Sequence, residues 1–196
     1  MTALADTSPP LAARIISEAL APGVVAVLLP ILAGLPSGWR GLGWALLAVV
    51  FTAALPLAII LTGVRLYGLS SHHIDRREQR AIPLSLSVLA VAVGWGLLTR
   101  LNAPMTVRAA VAVLGAVGAV VTAANLLWKL SAHAATITAA AAALVGLYGP
   151  PGTIAALAVA AVCWARVRVG AHDLAQIAAG VVVGLVTGAA VWAAIG

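Results

Sequence analysis

The chain has 196 residues, of which 63% are hydrophobic and only 8% are charged, and its formal net charge at pH 7 is +6. Soluble globular domains carry about 25% charged residues and about 45–50% apolar residues, so this composition excludes the soluble class and indicates an integral membrane protein. The single cysteine, Cys163, excludes a disulfide within the chain.

The N-terminal stretch does not have the pattern of a secretory signal peptide. Asp6 and the pair Pro9–Pro10 come before the first basic residue, Arg14, whereas a signal peptide begins with a basic region. We therefore expect residues 1–14 to form a flexible tail, followed by a single integral membrane domain over residues 15–196.

Seven apolar segments follow, separated by charged residues or by Gly and Pro clusters. A helix needs about 20 apolar residues to cross a bilayer, and a helix satisfies its own backbone in lipid. We therefore predict an all-α, polytopic transmembrane bundle of six to seven helices, in which the short fifth and sixth helices must extend into the polar loops. The segments are Ile15–Leu35, Leu42–Val64, Pro83–Thr99, Val107–Trp128, Ala134–Tyr148, Gly152–Ala165 and Leu174–Ile195.

Three polar loops are predicted to lie on one side of the membrane, because two segments separate each loop from the next. These loops are 65–81, 129–133 and 166–173, and the N-terminal tail lies on the same side. This side collects eight of the 11 Lys and Arg residues and all four histidines. The positive-inside rule would make it cytoplasmic, but an anion site would gather the same charges, so the side stays open.

The side chains on this side favour phosphate binding without a metal ion. Carboxylates are scarce there, and a metal site for phosphate chemistry uses several. Arg binds phosphate oxygens through two N–H groups, Lys adds a point charge, and His acts as nucleophile or proton donor. We expect no metal, no cofactor and no nucleic-acid partner. The expected partners are a lipid phosphate substrate and membrane lipids, and homo-oligomerisation stays open.

The polar loops also resemble the signature motifs of the type 2 phosphatidic acid phosphatase family. The stretch from Arg166 to His172, R-x5-H, resembles the third family signature, S-R-x5-H-x3-D. Ser131-Ala132-His133 resembles the second, P-S-G-H, and the stretch from His73 to Ala81 stands where the first, K-x6-R-P, is expected. The order of the three stretches, their common side and their two-helix spacing agree with that family over residues 65–184.

The resemblance implies a lipid phosphatase that acts on a prenyl or phosphatidate-like lipid through a phosphohistidine and without a metal ion. It implies that His172 is the nucleophile, that His133 protonates the leaving oxygen, and that Gln176 orients His172. The phosphate-binding residues that it implies are Arg166, Arg80 and Ser131, with Arg76, Arg77 or Lys129 in place of the lysine of the first motif.

Several positions depart from the family pattern. Gln176 stands where the family has Asp, and it can accept a hydrogen bond from His172 on the same helix face but carries no charge. The dolichyl diphosphatase-like members are similar in having Gln there. Because the first motif is also incomplete, two alternatives stay open. One is a non-catalytic protein of the same fold that binds or moves anionic lipids, and the other, less favoured, is a small transporter.

The last segment carries glycines at a spacing of four residues. Gly180, Gly184 and Gly188 continue the series that starts with His172 and Gln176. Small residues let membrane helices approach one another closely. We therefore predict that another helix packs on this face and holds His172 at a fixed depth near the surface of a membrane, which we expect to be a bacterial plasma membrane.

Overall fold

The computed structural model describes residues 9–66 and 77–196, without the side chains of residues 64, 66 and 77–81. Over these residues the protein is all-α, as predicted, and contains no strand. Short 3₁₀ turns lie at Leu35–Ser37 and Pro150–Ile154, and a π-helical turn at Val50–Ala54 joins α3 to α4. The helices are α1 Leu11–Ala19, α2 Pro22–Gly34, α3 Gly38–Val49, α4 Leu55–Leu66, α5 Arg77–Arg100, α6 Met105–Leu127, α7 Ala132–Tyr148, α8 Ala155–Arg168 and α9 Leu174–Ile195.

The helices have the length and composition of membrane spans. The hydrocarbon core of a bilayer is about 30 Å thick, and a helix of the length of α9 reaches about 33 Å at about 1.5 Å per residue. The chain is therefore an integral membrane protein, and its sixth segment extends into the polar loop, as spanning requires. Five described stretches are long and apolar enough to cross a membrane: Pro22–Gly63, Ile82–Arg100, Met105–Leu127, Pro150–Arg168 and Leu174–Ile195. The helix Ala132–Tyr148 is also apolar but shorter.

The first predicted segment is not one continuous helix. The chain leaves α1 at Leu20, with φ −116° and ψ 29°, and Pro22 starts α2. Proline is favourable at the first position of a helix, because the N–H that it lacks has no helical partner there. Helix α1 begins at Leu11, so the prediction of a flexible tail up to residue 14 is wrong for residues 11–14, which are helical.

The first long apolar stretch is folded back on itself as a hairpin of α2 and α3. Gly38 has φ +60° and reverses the chain in a left-handed conformation that suits glycine. Gly34 and Gly41 then meet backbone to backbone, since a Cβ on Gly34 would lie 2.6 Å from the Gly41 carbonyl oxygen. Further on, the Thr52 hydroxyl donates to the Ala26 carbonyl oxygen at 2.7 Å. The two helices therefore run antiparallel.

Helix α7 occupies the centre of the bundle. Every residue from Ala134 to Ala140 is buried, and α7 packs against α2, α6, α8 and α9. Its alanine-rich sequence explains this position, because short side chains let four neighbouring helices approach its backbone. A helix that is apolar on every face is stable where every face is covered.

The glycine stripe of α9 packs against α7, in agreement with the prediction. A Cβ on Gly188 would lie 2.7 Å from the Ala139 carbonyl oxygen, and one on Gly180 would lie 2.8 Å from the Ser131 carbonyl oxygen. The two backbones are therefore in direct contact over about two helical turns. This contact fixes the distance between the first turns of α7 and α9.

The connection between α6 and α7 lies beside the connection between α8 and α9, at the end of the bundle that we call the site end. At the opposite end, the Tyr148 hydroxyl donates to the Leu32 carbonyl oxygen at 2.7 Å. The predicted common side of loops 129–133 and 166–173 is therefore confirmed. Most of the predicted loop 65–81 lies outside the described residues.

Candidate functional site

Two helix starts stand next to each other at the site end. Ser131 is the N-cap of α7, and its Oγ accepts a hydrogen bond from the backbone N–H three residues on, at 3.4 Å. Asp173 is the N-cap of α9, and its Oδ1 accepts from the Gln176 N–H at 2.8 Å. Such side-chain oxygens satisfy backbone donors that a helix leaves free at its start. His133 therefore lies in the first turn of α7, and His172 lies directly before the α9 cap.

Two hydrogen bonds hold these helix starts together. The Ser131 N–H donates to the Gln176 carbonyl oxygen at 3.3 Å. The exposed Lys129 donates through Nζ to the Ala171 carbonyl oxygen at 3.0 Å. Lys129, which the sequence predicts to bind phosphate, thus extends from the α6–α7 connection and contacts the loop that carries His172.

Ser131 has a different position from the one predicted for a phosphate-binding residue. It is 0% exposed, its N–H bonds to α9, and its Oγ caps α7. In this conformation it offers no surface to a phosphate group. Its contacts instead join α7 to α9, and they act on the site by fixing the distance between His133 and His172.

His172 and Gln176 form the hydrogen bond that the sequence predicts. His172 Nδ1 lies 2.9 Å from Gln176 Oε1, which is one helical turn further along the chain. An amide oxygen only accepts, so this contact requires the proton on Nδ1. The neutral ring then carries its lone pair on Nε2, and this nitrogen is free to act as a nucleophile.

Burial lowers the pKa of His172 from its usual value of 6.5. The positive charges of Arg166 and Lys129 lower this pKa further, whereas the hydrogen bond to Gln176 and the negative charge of Asp173 raise it. His172 is therefore neutral at pH 7, which is the state in which Nε2 has a free electron pair.

Arg166 lies in the last turn of α8 and reaches toward α1. Its Nη1 donates to Ser17 Oγ at 2.8 Å. Its Nε is buried and has no hydrogen-bond partner among the described residues. Buried donors are rarely left unpaired in folded proteins, and an acceptor group of a ligand would satisfy this N–H. Phosphate oxygens are acceptors that a guanidinium group binds strongly.

His133 completes the cluster. Its ring interacts electrostatically with Arg166 and His172 and lies next to the backbone of Ser17. We call His133, Arg166 and His172 the His–Arg cluster. The structure thus brings together the three residues to which the sequence assigns the main chemical roles.

Ser17 is a residue of the site that the sequence analysis missed. It is 5% exposed, and Ala13, one turn earlier, is 0% exposed. These two small residues, four positions apart, lie on a helix that packs on α8. Their spacing is the one feature of the sequence that indicates a close helix contact at Ser17. Glu18, the next residue, attracts Arg166 electrostatically. The break between α1 and α2, which brings Ser17 to the site, is marked in the sequence only by Pro22 and Gly23.

Arg77 and Arg80, which the sequence predicts to bind phosphate, lie in the first turn of α5. Helix α5 packs against α6 as a hairpin, so the start of α5 lies at the site end. Both side chains lie outside the described part of the chain, and so does Arg76. The phosphate-binding prediction for these residues stays a prediction.

Comparison with known proteins does not assign the chain to a family. No protein-family model, no curated protein and no solved structure matches it. The residues of the site and their geometry are therefore the basis for a functional proposal.

Proposed function

We propose that this protein is an integral membrane lipid phosphatase, similar to the type 2 phosphatidic acid phosphatases. It would hydrolyse the phosphate or diphosphate of a prenyl or phosphatidate-like lipid in a bacterial plasma membrane. The observation that carries the proposal is the His–Arg cluster. It combines a neutral His172 whose Nε2 is free, a second histidine, and an Arg166 with an unpaired N–H. These groups have the chemistry of a nucleophile, a proton donor and a phosphate clamp.

In the first step, Nε2 of His172 attacks the phosphorus atom and the P–O bond to the lipid breaks. The electron pair of that bond stays on the lipid oxygen, which takes a proton from His133. The negative charge of the bound phosphate favours the protonated form of His133 that this step needs. Gln176 accepts from Nδ1 throughout, which keeps Nε2 as the attacking nitrogen.

In the second step, water hydrolyses the phosphohistidine. His133, now neutral, takes a proton from the water molecule while the water oxygen attacks phosphorus. The N–P bond breaks, its electron pair returns to Nε2 of His172, and inorganic phosphate leaves. Both histidines end in the protonation states in which they began, so the cycle closes.

Arg166 and Lys129 supply the positive charge that phosphoryl transfer requires. The transition state spreads negative charge over three phosphate oxygens, and catalysis consists mainly of positioning and charge stabilisation. Arg166 is held in place by Ser17, so its donors need little reorganisation. Lys129 is exposed at the rim of the site, where it can attract an anionic headgroup.

The position of the site favours a lipid over a soluble phosphate. Trp128 and Trp164 stand near the site end and are 45% and 44% exposed, and aromatic residues of this kind lie at the headgroup level of membranes. A lipid phosphate can therefore present its headgroup to the His–Arg cluster while its chains stay in the bilayer. A soluble phosphate would lack this anchoring.

The test is phosphate release from a panel of lipid phosphates and diphosphates by the purified protein, with a chelator present. We expect His172→Ala to abolish release. We expect His133→Ala to slow it about 10²- to 10⁴-fold, the usual contribution of a general acid. Arg166→Ala should also reduce release, and Arg40→Ala is its matched control, because Arg40 is exposed at the opposite end.

Transfer of labelled phosphate to the protein, lost in His172→Ala, would identify the phosphohistidine. If the folded protein binds the lipids and releases no phosphate from any of them, the proposed phosphatase activity is contradicted. The result would favour the alternative, a non-catalytic anionic-lipid-binding protein, which would need Arg166 and not the two histidines. The uncharged Gln176 is the observation in favour of that alternative.

A further inference from the structure

Ser17 contacts two members of the His–Arg cluster at once. Its Oγ accepts from Arg166 Nη1 at 2.8 Å, and its backbone lies next to the His133 ring. Ser17 is 5% exposed, whereas Leu11 and Ile15, on another face of α1, are 70% and 57% exposed. Ser17 is therefore the residue through which α1 is attached to the site.

The bond to Ser17 leaves Nε of the Arg166 guanidinium without a hydrogen-bond partner among the described residues. A guanidinium binds a phosphate through two parallel N–H groups, and Nε and Nη2 together form its lateral edge. In Arg166, Nη1 lies outside this edge and is held by Ser17. Nε, on the lateral edge, is buried and unpaired within residues 9–66 and 77–196. The bond to Ser17 thus fixes the rotation of the guanidinium and leaves Nε on its lateral edge without a hydrogen-bond partner.

We infer that Ser17 is a positioning residue of this site: its hydroxyl holds Arg166 so that the lateral edge meets the phosphate of an anionic lipid. Helix α1 then forms one wall of the site, although it lies outside the stretch that resembles the phosphatase family. The inference rests on the proposed function for its ligand, but it requires only that the site binds a lipid phosphate and does not depend on hydrolysis.

The test is equilibrium dialysis of the full chain, in detergent, with labelled dihexanoyl phosphatidic acid. We expect Ser17→Ala to weaken binding about 10-fold or more, because hydrogen bonds to charged groups contribute strongly and the freed guanidinium must be ordered again by the ligand. Ser17→Thr keeps the hydroxyl and should restore the wild-type affinity. Ser87→Ala is the matched control, since the Ser87 hydroxyl bonds only within α5, to Pro83, at 2.7 Å.

A double-mutant cycle separates positioning from a general structural effect. If Ser17 acts through Arg166, then Ser17→Ala should cost little further affinity once Arg166→Ala is present, because the group that it positions is gone. Melting temperatures of all variants are measured in parallel. The same samples are assayed for phosphate release over a range of lipid concentrations, where Ser17→Ala should raise KM more than it lowers kcat.

The outcomes are distinct. Wild-type affinity in Ser17→Ala, or losses that add fully in the double variant, would overturn the positioning role. No binding of phosphatidic acid by the wild-type protein would overturn it as well, whereas the proposed function, which includes prenyl phosphates, is decided by phosphate release from the panel of lipids. If binding depends on Ser17 and Arg166 but the protein releases no phosphate, the inference is supported and the proposed phosphatase activity is contradicted.

Discussion

Gly184 is the position at which the packing of the site is most sensitive to a single added methyl group. It stands in the middle of the glycine stripe of α9, between the candidate site and the opposite end of the bundle. A Cβ there would run into the Ala135 carbonyl oxygen and would lie 2.9 Å from Thr138 Cβ and 3.0 Å from the Ala135 carbonyl carbon. Two of these three atoms are backbone, so they cannot move without the whole of α7.

The structure gives the size of the effect of Gly184→Ala. Ordinary contacts begin near 3.4 Å, so α7 and α9 must separate by at least about 0.5 Å, the distance that relieves the contact with Thr138 alone. Overpacking of a tight interface costs about 1–3 kcal/mol of the free energy of unfolding. For a chain of this size, that corresponds to a fall in the melting temperature of about 2–12 °C.

The assay is thermal unfolding of the detergent-solubilised protein, with Gly96→Ala as the matched control. Gly96 is also a glycine inside a membrane helix, but a Cβ there would meet nothing within 4 Å. Alanine is favoured over glycine in a helix by about 0.5–1 kcal/mol, so the control should be as stable as the wild type or more stable. The difference in melting temperature between Gly184→Ala and Gly96→Ala isolates the effect of the contact between α7 and α9.

The same substitution should impair the proposed activity, because α7 carries His133 and α9 carries Gln176, which orients His172. Catalytic groups must be held to within about 0.5 Å, so a separation of this size should lower kcat/KM about 10-fold. If Gly184→Ala melts at the same temperature as Gly96→Ala, the backbones of α7 and α9 are not in contact and the reasoning is refuted.

Two further predictions concern the first turn of α9. The acid limb of the pH–rate profile should have its midpoint below pH 6.5, because burial lowers the pKa of His172 from that value and only the neutral ring attacks. Gln176→Asp adds a negative charge, so it should raise the pKa of His172 and move the acid limb to higher pH. Gln176→Leu removes a hydrogen bond that raises this pKa, so it should move the acid limb to lower pH. An acid limb that is unchanged in both variants would show that another group titrates. Asp173→Ala removes the N-cap of α9 and should cost about 1 kcal/mol of the free energy of unfolding, while Asp173→Asn should cost little. Equal melting temperatures for these two variants would contradict the capping role.

The sequence by itself determined the class of the protein and most of its helices. Hydropathy and the breaks at polar loops are local properties, and they are sufficient to predict a helix in lipid, where the backbone has no alternative partner. The counting of crossings then placed His133 and His172 on the same side. The spacing of Gly180, Gly184 and Gly188 predicted a close helix contact, because a four-residue period keeps small residues on one face.

Only the tertiary structure decided that α1 contributes Ser17 to the site and that Ser131 is buried. The break at Leu20 lies inside an apolar run, and hydropathy alone does not distinguish a span from a short helix followed by a turn. Ser17 reaches Arg166 across 149 positions of the chain, and no local pattern records such a contact. Ser131 resembles part of a motif, yet it is buried between α7 and α9. Local composition sets which segments are helical, whereas the close packing of backbones sets which side chains remain free to meet a ligand.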